Sequence, residues 1–153
     1  VPLRPTVLDI GKLNLAKGKE YHVFDFWKQE YLGIHTDVIH CRALELGECQ
    51  ILGIREVSDI PQFVASSRHV SMDAVSVKTI DWNGSRLTVK VSGAAGSREE
   101  YYFAIPKKYR VQKVVCANVE CTPLYKDTLL KVSVDFKERG RDEEITVYTE
   151  RII

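Results

Sequence analysis

The chain has no run of about 18 apolar residues, so nothing in it reads as a membrane-spanning helix. It has no charge excess to speak of: 22 Lys and Arg stand against 21 Asp and Glu, a formal net charge of +1. That balance gives no electrostatic reason to bind nucleic acid or an anionic membrane. Gly-x-Gly-x-x-Gly and Gly-x-x-x-x-Gly-Lys-Ser/Thr elements are both missing, which removes the loops that cradle nucleotide phosphates. No Gly-x-Ser-x-Gly elbow presents a serine nucleophile, although Ser66, Ser67 and His69 lie close in sequence. Cysteine is scarce and unpaired in pattern: Cys41, Cys49, Cys116 and Cys121 include no Cys-x-x-Cys. Buried free thiols are the expectation, with Cys116 and Cys121 facing each other across a turn as the alternative. No secretory signal pattern is visible. The chain begins at Val1. Residues 1–5, with Pro2 and Pro5, read as a stiff connector within a longer polypeptide.

What is present is strand. At 153 residues the chain is long enough to bury a core without staples. Leu87, Val89 and Val91 alternate with Arg86, Thr88 and Lys90, which puts branched apolar side chains on one face. Leu130, Val132, Val134 and Phe136 repeat the pattern, as do Tyr101, Phe103 and Ile105, and then Ile145 and Val147. Asn83-Gly84 is the clearest hairpin turn, because such turns require positive φ. Further breaks fall at residues 93–97, 106–108 and 139–142. Residues 43–49 have a helical composition interrupted by Gly47, and residues 62–74 read as a loop or one short turn. Many short strands without long helices predict an all-β fold: an antiparallel two-sheet β-sandwich with Greek-key-like connections. A closed barrel is the alternative. The expected organisation is an entry segment over residues 1–18 and one sandwich over residues 19–153.

Chemistry is harder to find. Asp25 is the only acid set inside a strongly apolar strand, and a hydrogen bond to a nearby loop or to an Arg accounts for it. Asp73, Asp81 and Asp135 are expected at strand ends or on polar faces. His35, His40 and Cys41 do not have a spacing that aims all three at one ion. The expectation is therefore no catalytic residue, no metal and no cofactor in this chain. Exposed rings are the remaining candidates, since sugars stack on flat aromatic faces. Trp27, Tyr31, Trp82 and Tyr102 are the possible sugar-binding or interface aromatics. Tyr101 and Tyr102 are adjacent and point to opposite faces, so one of them is expected to be exposed.

Two stretches carry a family resemblance. Residues 19–27, ending in Asp25, Phe26 and Trp27, lead to Tyr31, Leu32 and Gly33. Residues 49–57, with Leu52, Gly53 and Arg55, precede residues 61–70, with Pro61, Ser67, Arg68 and His69. In this order they resemble the C-terminal β-sandwich of α-galactosidase-like (melibiase-type) glycoside hydrolases, over roughly residues 19–92. The resemblance implies a non-catalytic accessory domain that packs on a (β/α)8 catalytic barrel of the same polypeptide and stabilises it. The barrel's catalytic carboxylates have no counterpart here. A carbohydrate-binding module and a protein-interaction sandwich of immunoglobulin type are the alternatives. The last lacks a Trp between two sheet-bridging cysteines.

Overall fold

The computed structural model describes residues 1–72, 76–126, 128–137 and 142–152. Among the described residues there is no α-helix. All strand pairs are antiparallel. The fold is the all-β, sandwich-type architecture that the alternation implied, built as two pairs of sheets. The chain divides into two compact units, Val1–Val57 and Ser58–Ile153.

The first unit contains β1 (Thr6–Asp9), a 3-10 turn (Ile10–Leu13), β2 (Tyr21–Asp25), β3 (Glu30–His35), β4 (Val38–Cys41) and β5 (Leu52–Glu56). One sheet has the order β3-β2-β5; the other is the ribbon β1-β4. Reciprocal hydrogen bonds between Leu3 and Leu44, at 2.9 and 3.1 Å, extend the ribbon beyond its strands. Asp9 caps the 3-10 turn by accepting from the Gly11 amide at 2.8 Å. The turn delivers Ile10 into a core shared with Tyr21, Val23 and Ile39. Residues 1–18, expected as an entry segment, thus hold a strand and a core side chain, and the contacts draw the boundary at Ser58 instead. Central strand β2 is buried along its whole length, which is why its sequence is dense in aromatics rather than strictly alternating.

The second unit contains β6 (Gln62–Ser66), β7 (Val77–Trp82), β8 (Arg86–Ser92), β9 (Arg98–Ala104), β10 (Tyr109–Cys116), β11 (Cys121–Lys126), β12 (Leu129–Asp135) and β13 (Asp142–Arg151). Its two four-stranded sheets have the orders β10-β13-β8-β7 and β11-β12-β9-β6. Only β7–β8 and β11–β12 are hairpins within one sheet. Every other connection changes sheet, so β8 lies beside β13 and β9 beside β12, in Greek-key fashion. The alternating residues Leu87, Val89, Val91, Leu130, Val132, Val134, Ile145 and Val147 all face the core between the sheets. Each such side chain contributes roughly 1.5–3 kcal/mol through burial.

The Asn83-Gly84 turn is present. Gly84 adopts φ +95°, and Asn83 Oδ1 accepts from the amides of Ser85 and Arg86 at 3.2 and 3.0 Å. Two local expectations are corrected. Residues 62–66, part of the 62–74 stretch that reads as a loop or one short turn, form β6, because pairing with β9 supplies the backbone partners that its short sequence does not advertise. Residues 43–49 hold no helix; Leu44 is instead bridged to Leu3. Asp73 and residues 138–141, including most of the expected charged break, lie outside the described residues.

Candidate functional site

The first unit carries an apolar groove of about 420 Å³. Leu3 and Leu44 enter it from the extended ribbon, Leu8 from β1, Leu13 from the 3-10 turn, and Leu52 and Ile54 from β5. Leu3 is 66% exposed, so one wall is an apolar surface open to solvent. Arg4, Arg42 and Gln50 supply the polar groups of the lining. Arg42 Nη1 donates to Glu48 Oε2 at 2.8 Å and to the Ala43 carbonyl at 3.1 Å. The Glu45 amide and the Arg42 guanidinium hold the Glu48 carboxyl below its ordinary range, so this exposed pair is charged at neutral pH.

Beneath this lining sits Asp25, 1% exposed. Its Oδ1 accepts from the Lys28 amide at 3.2 Å, and its Oδ2 from Gln50 Nε2 at 2.8 Å. Arg42 Nε lies 3.8 Å from Oδ2, with no hydrogen-bond partner among the described residues. Of the two partners expected for Asp25, a nearby loop or an Arg, the hydrogen bond goes to the turn after β2, and Arg42 stands only at ion-pair distance. The carboxylate joins the end of β2, the turn after it and the approach to β5, and these contacts are structural.

The four singled-out aromatics are distributed over both units. Trp27, 56% exposed, stands in the β2–β3 turn with its ring edge-on to Phe26 at 5.1 Å. Tyr31 is half-buried on β3, and its hydroxyl lies 2.7 Å from His22 Nδ1. Burial raises the Tyr31 phenol above its ordinary range, so it keeps its proton in this contact. In the second unit, Trp82 is half-buried, T-shaped against Tyr109 at 5.5 Å and packed on the core. Tyr102 is buried as well as Tyr101, against the expectation that one of them faces solvent. Both belong to an inner strand, and Tyr102 is flanked by Ala65 and Lys131 on its neighbours. Trp27 is therefore the only one of the four that presents an open ring.

The remaining candidate groups are held apart. Ser66 donates to the Met72 carbonyl at 2.9 Å, Ser67 to Glu99 Oε2 at 3.0 Å, and His69 Nδ1 lies 3.0 Å from Ser71 Oγ. The histidine's hydroxyl partner is thus Ser71, while Ser66 and Ser67 are engaged elsewhere. His35 Nε2 lies 2.9 Å from the Leu32 carbonyl, and Cys41 turns its thiol toward the Ile39 carbonyl. Among the described residues no three His, Cys, Asp or Glu side chains converge as a metal-binding group.

Sequence reasoning missed two surfaces. One is the leucine groove, whose members are too far apart in sequence to form a pattern. The other is a concavity of about 370 Å³ in the second unit, lined by Lys107, Tyr109, Arg110, Tyr125, Thr128 and Ile152. Tyr125, 45% exposed beside the β11–β12 turn, is its open ring. Its position next to a turn was the available signal. No protein family, curated protein or solved structure matches the chain.

Proposed function

We propose that this chain is a non-catalytic accessory domain of an α-galactosidase-like glycoside hydrolase, where it packs on a (β/α)8 barrel of the same polypeptide and stabilises it. The observation that carries the reading is the open leucine groove of the first unit. An apolar surface of this kind loses water when a neighbouring domain covers it, and inter-domain interfaces draw on such surfaces. Leu3 and Leu13 are its exposed anchors, Leu44 is a half-buried one, and Arg4 sets a polar rim beside them. The resemblance of residues 19–92 supplies the partner class, and the engagement of Asp25 in structural contacts is consistent with a role without chemistry.

Two measurements test the reading. The purified chain is expected to leave nitrophenyl α-glycosides intact, and steady turnover by clean material overturns it. Mixed with a melibiase-type barrel lacking its own sandwich, the chain is expected to raise the barrel's Tm. Leu44→Glu is expected to abolish that effect; no rise with the unaltered chain, or an undiminished rise with the variant, rejects the groove as the contact.

A second reading rests on the exposed ring of Trp27. A carbohydrate-binding module would use it as a stacking platform. Calorimetric titration with galactosides and mannosides decides this: heat of binding that disappears in Trp27→Ala supports it, and flat traces reject it.

A further inference from the structure

Cys116 ends β10 and Cys121 begins β11, so the two residues sit on edge strands of different sheets, joined by the arch of residues 117–120. Both thiols are free and half-buried, and both pack against the sandwich core. Cys121 is close enough to be one of the groups that, after burial, raise the Cys116 thiol above its ordinary range. The arch is pinned at two points. The Ala117 amide donates to the Glu144 carbonyl at 3.1 Å, and the Asn118 amide donates to Glu143 Oε1 at 2.9 Å. Glu143 is 2% exposed, and its Oε2 has no hydrogen-bond partner among the described residues. The arch thus gathers two free thiols at its feet and a buried carboxylate oxygen that has no hydrogen-bond partner among the described residues. Among the described residues no three ligand-type side chains converge as a metal-binding group there.

We propose that Cys116 and Cys121 form a modification site, a dithiol that closes to an intramolecular disulfide on exposure to a low-molecular-weight disulfide of the glutathione class. One protein thiol loses its proton, and the thiolate attacks a sulfur of the small disulfide. The small disulfide's S–S bond breaks, leaving a mixed disulfide and one small thiolate. The second protein thiolate then attacks the mixed disulfide and releases the other small thiolate. The two cysteines give up two electrons and two protons, which end on two molecules of small thiol.

The surroundings set the rate and the consequence. Burial, the Cys121 contact and the Glu143 charge together hold the Cys116 thiol far above its ordinary range. Thiolate is the reactive form, so the reduced pair persists until the arch opens or the oxidant is abundant. Once closed, the bridge fastens β10 to β11 along one flank of the sandwich, where the arch already joins the two edge strands.

Trypsin releases residues 114–126 as one peptide, cut after Lys113 and Lys126, and this peptide contains both cysteines. After the folded chain is treated with oxidised glutathione and quenched with iodoacetamide, this peptide is expected to be lighter by two hydrogens, with no adduct. The oxidised protein's Tm is expected to rise by roughly 5–10 °C, because the bridge restricts the unfolded chain. A peptide that retains glutathione or carries two alkyl groups, under exposure that oxidises the urea-unfolded chain, overturns the proposal. So does a closed bridge that leaves Tm unchanged or lowers it. Glu143→Gln is expected to close the bridge several-fold faster at one fixed neutral pH; an unchanged rate removes Glu143 from the site.

Discussion

Gln50 Nε2 donates to Asp25 Oδ2 at 2.8 Å, across 25 positions of sequence. The bond fastens the approach to β5 onto the end of β2, and the Lys28 amide on Oδ1 fastens the following turn to the same carboxylate. Removing the carboxylate strands a buried amide, a backbone N–H and the neighbouring Arg42 guanidinium. Asp25→Ala is therefore expected to destabilise the first unit by about 3 kcal/mol. The two tryptophans allow this to be read separately, since Trp27 belongs to the first unit and Trp82 to the second. Urea unfolding followed by Trp27 fluorescence in a Trp82→Phe background checks it, and a loss under about 1 kcal/mol contradicts the structural role.

Tyr101 is fully buried, and its hydroxyl has no hydrogen-bond partner among the described residues. A buried hydroxyl without a partner loses its hydration and gains nothing in return. Tyr101→Phe is therefore expected to be neutral or to stabilise the second unit by about 1 kcal/mol. Most substitutions at a fully buried aromatic do the opposite, so a clear loss of stability in thermal melts would expose a partner for this hydroxyl.

Gly93 lies under the ring of Phe136. A Cβ at Gly93 would stand 2.2 Å from Phe136 Cδ2, far inside contact distance. Phe136 is itself in the core, so the ring has little room to retreat. Gly93→Ala is expected to cost about 2 kcal/mol, and Phe136→Leu in the same chain is expected to recover part of it. Urea midpoints of the single and double variants, read through Trp82, test the pair. Additive losses would place the strain elsewhere.

Alkali is expected to weaken the second unit. Burial, followed by the charge of Glu100, pushes Tyr102 from 10.0 to about 12. Burial, followed by Glu99, raises Tyr101 further, and burial with Cys121 raises Cys116. Each group keeps its proton in the folded protein at a pH where the unfolded chain sheds it. Their contributions are intact below about pH 9, begin to be lost as pH passes the unfolded values of 9.0 for the thiol and 10.0 for the phenols, and go on being lost up to the raised folded values. Tm measured from pH 8 to 11 should fall across this window, and less steeply in Tyr101→Phe; a flat profile contradicts the burial of these groups.

The sandwich was legible where one face of a strand is wet. Leu87, Val89 and Val91 announce β8 because Arg86 and Lys90 are exposed, and the same holds for the buried alternation of β12 around exposed Asp135. Legibility failed where both faces are covered or where the partner is distant. Tyr102 looked like a surface ring because alternation alone assumes a solvated outer face. Strand β6 was invisible because its pairing with β9 lies more than 30 residues away. The groove was hidden for a related reason: Leu3, Leu13 and Leu52 belong to three elements, and only folding brings them together. The role of Asp25 was readable because an acid between two phenylalanines has to find partners wherever the strand is buried.

Strand β13 lies between β10 and β8, so the sheet containing it stays in two pieces until residues 142–151 are in place. During synthesis, the apolar faces of Val89 and Val91 wait uncovered while some fifty further residues emerge, and that of Val114 while some thirty do. A unit closed by its latest strand cannot complete its core before residues 142–151 have emerged, and its distant pairings make that closure slow, which makes this interval the time when the nascent chain most needs a chaperone.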